Sequence, residues 1–214
     1  MTRKLLIIAA LTTCVAASVD AQLCAGNASF SAGRMRAGFG AEFPTGGKAY
    51  GAGLTWGQQS GAYFGGQIMR LNPTGAAESA TDLQANVGYE TSFDGLGKTR
   101  FCPMGHFGIT SPPNNQDNIT HFALGGTLGQ VLSSSENMTL APSLGLSWVH
   151  YSSGGASDSW IEATVGAGFI FNRDVTFTPM LRLPLNQDGA DPTFGFSLSY
   201  NFGRPGVTGG RRRR

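Results

Sequence analysis

The residues best suited to covalent chemistry in this sequence are His150, Ser152 and Glu162, within HYSSGGASDSWIE. A serine, a histidine and an acid form a hydrolytic triad when a local bend brings them together, the histidine taking the serine proton and the carboxylate orienting the imidazole. The surrounding alternation opposes it. In an extended strand His150 and Ser152 share one face and Glu162 falls on the other, so a bulge would have to re-aim one of them.

A second set of polar residues points to packing rather than catalysis. Arg34, Arg36, Glu42, Asp82, Glu90, Arg100, Glu162 and Arg182 all take the polar parity of alternating segments, four cations and four anions. Enclosed charges must pair or be hydrated, so this set predicts a space-filling network of ion pairs. His106 and His121 share the parity of Cys102, but no carboxylate or thiol cluster accompanies them at metal-ligand spacing, and no metal or other cofactor is expected. The net charge is only +2, with Arg211, Arg212, Arg213 and Arg214 in one terminal run. Neither a phosphate-cradling glycine loop nor a basic-aromatic surface for nucleic acid is present.

The elements that must position these residues are strands. TFGFSLSYNFG alternates strictly, with Phe194, Phe196, Leu198, Tyr200 and Phe202 on one parity and Gly195, Ser197, Ser199 and Asn201 on the other. The same period recurs in Leu83 to Phe93, Met138 to Trp148, Ile161 to Phe171 and Val175 to Leu183, and less cleanly around residues 50–56 and 121–129. With weaker stretches near 31–43, 61–71 and 99–109 the count is about ten strands, eight being the alternative. Most approach the 9 to 11 residues that cross a bilayer at a tilt, where ordinary strands average ~5 to 6.

Composition and targeting agree. Arg3 and Lys4 precede the apolar run Leu5 to Leu11, and Val19-Asp20-Ala21 offers a cleavage site, so residues 1–21 read as a Sec-type signal peptide cut near Ala21. Beyond it no apolar run is long enough for a helical span. Charged residues are 13% of the chain, about half the usual share, and its 32 glycines are about twice the usual share. With Cys14 removed, Cys24 and Cys102 remain in an oxidising compartment, a possible disulfide. The predicted connections also alternate: DGLGK, SSSEN and NRD are short, and NPTGAAESAT, TSPPNNQDN, SSGGASDS and NQDGADP are long, as in outer-membrane barrels. Tyr50, Trp56, Tyr89, Trp148, Trp160, Tyr200 and Phe202 are the expected aromatic girdles.

On the signal peptide, the dyad strands, the loop alternation and the aromatic last strand, the chain resembles the small outer-membrane β-barrel proteins of Gram-negative bacteria, the OmpA/OmpX-like, porin-like group. The resemblance implies an all-β, antiparallel up-and-down transmembrane barrel over 22–203; the Gly- and Pro-containing, Arg-rich stretch 204–214 reads from its composition as a disordered tail, where barrels of this group usually end on the aromatic residue. It also implies outer-membrane lipid and lipopolysaccharide around it, the barrel-assembly machinery as a partner, and a structural or narrow-pore role. The tail would suit an anionic partner. HYSSGGASDSWIE is similar to the active-site region of the outer-membrane lipid A 3-O-deacylases; as an alternative function the resemblance implies an esterase with Ser152 the nucleophile, His150 the base and Glu162 the orienting acid. A soluble periplasmic β-barrel binding protein is a second alternative.

Overall fold

In the computed structural model, residues 35–202 are described except 59, 76–77, 93–98, 114–115, 136, 173 and 188. Ten long strands follow one another: β1 (Met35–Phe43), β2 (Gly47–Gly57), β3 (Ala62–Pro73), β4 (Ala80–Tyr89), β5 (Thr99–Ser111), β6 (Ile119–Gln130), β7 (Met138–Ser153), β8 (Ala156–Phe171), β9 (Val175–Pro184) and β10 (Thr193–Phe202). Each pairs antiparallel with its neighbours in sequence, and β1 pairs with β10 from Met35↔Phe202 to Phe43↔Phe194. The sheet is therefore a closed ten-strand barrel with no free edge. Two-residue strands at Thr91–Ser92 and Ser133–Ser134 extend the pairing of β5 and β7.

Closure on itself divides every strand into two parities. Outward go Phe39, Leu54, Trp56, Ile68, Leu83, Val87, Leu124, Leu146, Leu198 and many other large apolar side chains, each between 37% and 60% exposed. Monomeric soluble proteins rarely expose so continuous an apolar surface. Outward rings gather toward both ends of the wall. Trp56 lies edge-on to Phe64 at 4.9 Å and Tyr200 to Phe202 at 4.9 Å at the end holding β1's start and β10's finish. At the far end Phe43 stacks with Phe194 at 6.4 Å and Phe122 meets Trp148 at 5.2 Å. An 11-residue strand such as β2, tilted by about 40° at about 3.3 Å per residue, covers roughly 25 Å, the height of a bilayer's apolar band.

Two sequence expectations need correction. The stretch SSGGASDS is not a loop: β7 and β8, 16 residues each, run through it to a two-residue turn at Gly154-Gly155. Both glycines have positive φ, 56° and 86°, as a tight hairpin turn requires. Outside an apolar band, polar residues pair as strands as readily as they form loops, so polarity does not mark the end of the strands. DGLGK, residues 94–98, lies outside the described residues, between β4, which ends at Tyr89, and β5, which begins at Thr99. Trp160 is the second correction. With β8 beginning at Ala156, it takes the inward parity, opposite Val149.

Candidate functional site in the lumen

Inward parity places Glu42 on β1, Asp82 on β4, His106 on β5, His121 on β6, Tyr151 on β7, Trp160 and Glu162 on β8 and Arg182 on β9, all toward the far end of the barrel. Arg182 binds Glu42 through its terminal guanidinium nitrogen, and its Nε lies 3.9 Å from Glu162. Their side chains keep 36%, 20% and 21% exposure, so the trio is hydrated at its margin. Three of the eight charges singled out by parity thus meet in one cluster.

Asp82 heads a second cluster. Its Oδ1 takes hydrogen bonds from Thr110 Oγ1 at 2.9 Å and pairs with His121 Nε2 at 2.8 Å, and its Oδ2 accepts from Gln84 Nε2. Gln67 Nε2 continues the chain to Gln84 Oε1 at 2.6 Å. His121 reaches Asp82 by lying across Gly108 of the intervening strand. A Cβ at that glycine would collide with the His121 ring at Cε1 and Nε2, so only glycine leaves room.

From His121 a run of rings continues around the wall. His121 stacks on Tyr151 at 5.0 Å and 18°, Tyr151 on Trp160 at 5.0 Å and 11°, and His106 meets His121 edge-on at 5.8 Å. Nearly parallel rings 5.0 Å apart must overlap, so their faces cover each other and the lumen sees mostly edges. Tyr151 lies within electrostatic reach of Arg182, Glu162 and Glu42 as well as Asp82, and His106 within reach of Arg182. The two clusters and the ring stack lie at the same end of the lumen on β1 and β4 through β9, and this set of inward side chains is termed the septum. Sequence reasoning singles out neither Tyr151 nor Trp160 as lumenal, and sees in His121 only a histidine without a metal cluster. Tyr151, between His150 and Ser152, nevertheless carries the lumenal parity in the sequence itself.

Toward the termini the lumen is built differently. Arg36 donates from Nε to Asn201 Oδ1 at 2.9 Å and lies within electrostatic reach of Glu90 and Tyr63. Arg100 faces inward opposite Gly129, and its Nε is buried without a hydrogen-bond partner among the described residues. Cys102, two residues on, is wholly buried beside Tyr63 and is disulfide-bonded. Arg34, Cys24, Arg211 to Arg214 and residues 1–21 lie outside the described residues. No group of three or more His, Cys, Asp or Glu among the described residues is arranged to hold a metal.

The triad residues are not brought together. His150 is on the outer face between Phe122 and Trp148, and its Nδ1 bonds Ser159 Oγ at 2.7 Å. Ser152 shares that outer parity, paired with Thr120 and Ser157, while Glu162 is inside with Arg182. The wall of the barrel separates the acid from the imidazole.

With this geometry in view, the comparisons are informative about fold. The beta domain of the Bordetella autotransporter Brka superposes with a TM-score of 0.56 at 12% identity, covering 80% of this chain and 100% of that one. This chain shares that barrel fold. The KdgM porin (TM-score 0.42, 9% identity, 78% and 99% covered) and an outer membrane channel from Pseudomonas putida F1 (0.43, 11%, 88% and 100%) match more loosely. No protein-family model matches the sequence, and no curated protein matches it.

Proposed function

We propose that the protein is an outer-membrane β-barrel that closes rather than conducts, with a structural or very narrow-pore role. The observation that carries this reading is the septum: Arg182 held between Glu42 and Glu162, and at the same end the ring stack Trp160–Tyr151–His121 that ends on Asp82. A ten-strand barrel is only modestly wider than an eight-strand one, whose interior side chains suffice to fill it. The apolar outer wall would face lipid and lipopolysaccharide, and the aromatic strand β10 would present the assembly machinery with the seam that it must close.

Ile68, mid-strand on β3 and 52% exposed, tests the membrane assignment. Ile68→Arg costs about 2–4 kcal/mol if that position meets the bilayer midplane, but stays within about 0.5 kcal/mol if it meets water. Urea unfolding in lipid vesicles, with heat-modifiable gel mobility as the folding assay, distinguishes the two. A neutral Ile68→Arg in protein recovered from the soluble periplasmic fraction would sink the assignment.

A further inference from the structure

We propose that the outer face of the wall around His150 is a docking site for a lipid of the surrounding leaflet, one whose headgroup is a phosphorylated sugar. The proposal rests on the outer-membrane reading above. His150 lies on the outside of β7 at the far end, paired with Phe122 of β6 on one side and Ser159 of β8 on the other. Its ring is flanked by those of Phe122 at 5.1 Å and Trp148 at 5.9 Å, and its Nδ1 lies 2.7 Å from Ser159 Oγ. These contacts fix the direction of the imidazole, and Nε2 makes no hydrogen bond to any described residue. With Ser159 donating to Nδ1 the ring proton sits on Nε2, and a protonated ring donates from both nitrogens, so Nε2 is an outward donor in either state.

One step further from the apolar band the same three strands carry a row of hydroxyls, Thr120, Ser152 and Ser157, aligned by the sheet register. Thr120 and Ser157 are exposed and Ser152 is half-buried. Thr120 Oγ1 lies 3.4 Å from the Ser152 carbonyl, and the hydroxyls of Ser152 and Ser157 bond to no described residue. Every polar side chain of this patch can donate, and none is a carboxylate. Asp158 is turned away on the inward parity, its Oδ1 taking the Ser159 N–H at 2.8 Å and its Oδ2 the Gln187 amide at 3.0 Å. Asp117 lies higher still, against the turn at Gly154. A surface of donors matches phosphate oxygens, which only accept.

The residues beneath the patch select the occupant. Leu124 and Ile161 flank Trp148 in the next outward row, and Leu146 follows on β7, all of them exposed on the apolar wall. A ligand arriving from water meets only the polar rows, whereas an amphiphile meets both levels, its chains along the leucines and its head against the hydroxyls. Strands about 4.8 Å apart and rows about 6.6 Å apart make the polar patch roughly 10 Å wide and 7 Å high, larger than one phosphate. A phosphate seated between His150 and Ser152 leaves Thr120 and Ser157 for the ring hydroxyls of a sugar.

Native mass spectrometry of the full-length folded protein in detergent, titrated with lipid A as the probe, tests this. A single lipid A should be retained per barrel. His150→Ala/Ser152→Ala, which alters only side chains on the outer face, should weaken retention on the order of ten-fold, the factor that losing one hydrogen bond to a charged group carries. Lipid A stripped of its phosphates should be retained less by a similar factor, and so should phosphatidylglycerol, which has the phosphate without the sugar. Equal retention by the variant and the unaltered protein, both running as heat-modifiable barrels, would overturn the site. Equal retention of the stripped lipid or of phosphatidylglycerol would overturn the headgroup assigned to it. The membrane reading fails separately, on the Ile68→Arg comparison, so a barrel that passes that test yet holds no lipid A counts against the docking site alone.

Discussion

At the far end of the lumen the side chains that close the barrel do so against one another, with Arg182 between two glutamates and His121 between Asp82 and Tyr151. At the termini end the wall bears threonines, serines and glycines that are nonetheless hidden, and a cysteine committed to a covalent partner. One half is closed by long side chains on consecutive strands. The other lines its wall with threonines, serines and glycines on β1, β9 and β10, with Arg36, Tyr63 and Ile170 as larger inward side chains. The contrast teaches that one lumen can be filled by a connected polar network at one end and by small, tightly buried side chains at the other.

If the septum is what closes the lumen, Arg182→Ala should open it, and a planar bilayer that is nearly silent with the unaltered protein should show stable openings with the variant. This is the largest effect expected. Steady, porin-like conductance from the unaltered protein would break the comparison, because the far end would then not be closed.

Two glycines sharpen it at the level of stability. Gly108→Ala drives a methyl into His121 and should cost about 1–3 kcal/mol, the usual penalty of overpacking. At Gly38 a methyl makes only ordinary contacts, with Ser199 Cβ at 3.4 Å and Leu198 O at 3.5 Å, so Gly38→Ala should be neutral or stabilising by up to about 1 kcal/mol. Equal losses in urea unfolding would mean that the termini half is packed as tightly as the septum. The smallest effect belongs to the outer face. Ser159→Ala removes the bond to His150 at an exposed site and should change stability by less than about 0.5 kcal/mol. Lipid A incubated with the unaltered protein should keep its ester-linked acyl chains in a mass spectrum; loss of one, abolished by His150→Ala, would restore the hydrolase reading despite the separation of Glu162.

Much of this fold is legible in the sequence because alternation reports directly on a wall with two solvents. The inward parity of Glu42, Glu162 and Arg182 can be read without coordinates. Their mutual contact cannot, since it depends on register between β1, β9 and β8, and Arg182 meets Glu42 across 140 residues of chain. Asp82 and His121 are likewise joined only by the slot at Gly108. Trp160 is misread from sequence because the polar start of β8 looks like a loop, which shifts the apparent strand end past it. The His-x-Ser pair attracts attention for its chemistry, whereas the residue between them, Tyr151, is the one that faces the septum.

The seam between β1 and β10 also sets an order in time. Met35 pairs with Phe202 across nearly the whole barrel sequence, and so non-local a contact is slow to form because of its loop-closure cost. Until it forms the chain carries two unpaired strand edges and an apolar face with nothing to cover it, the state most open to wrong pairing. Completion of the last strand is therefore the event that converts an adhesive ribbon into a ring, and a chain stopped short of β10 would remain such a ribbon however well its first nine strands had formed.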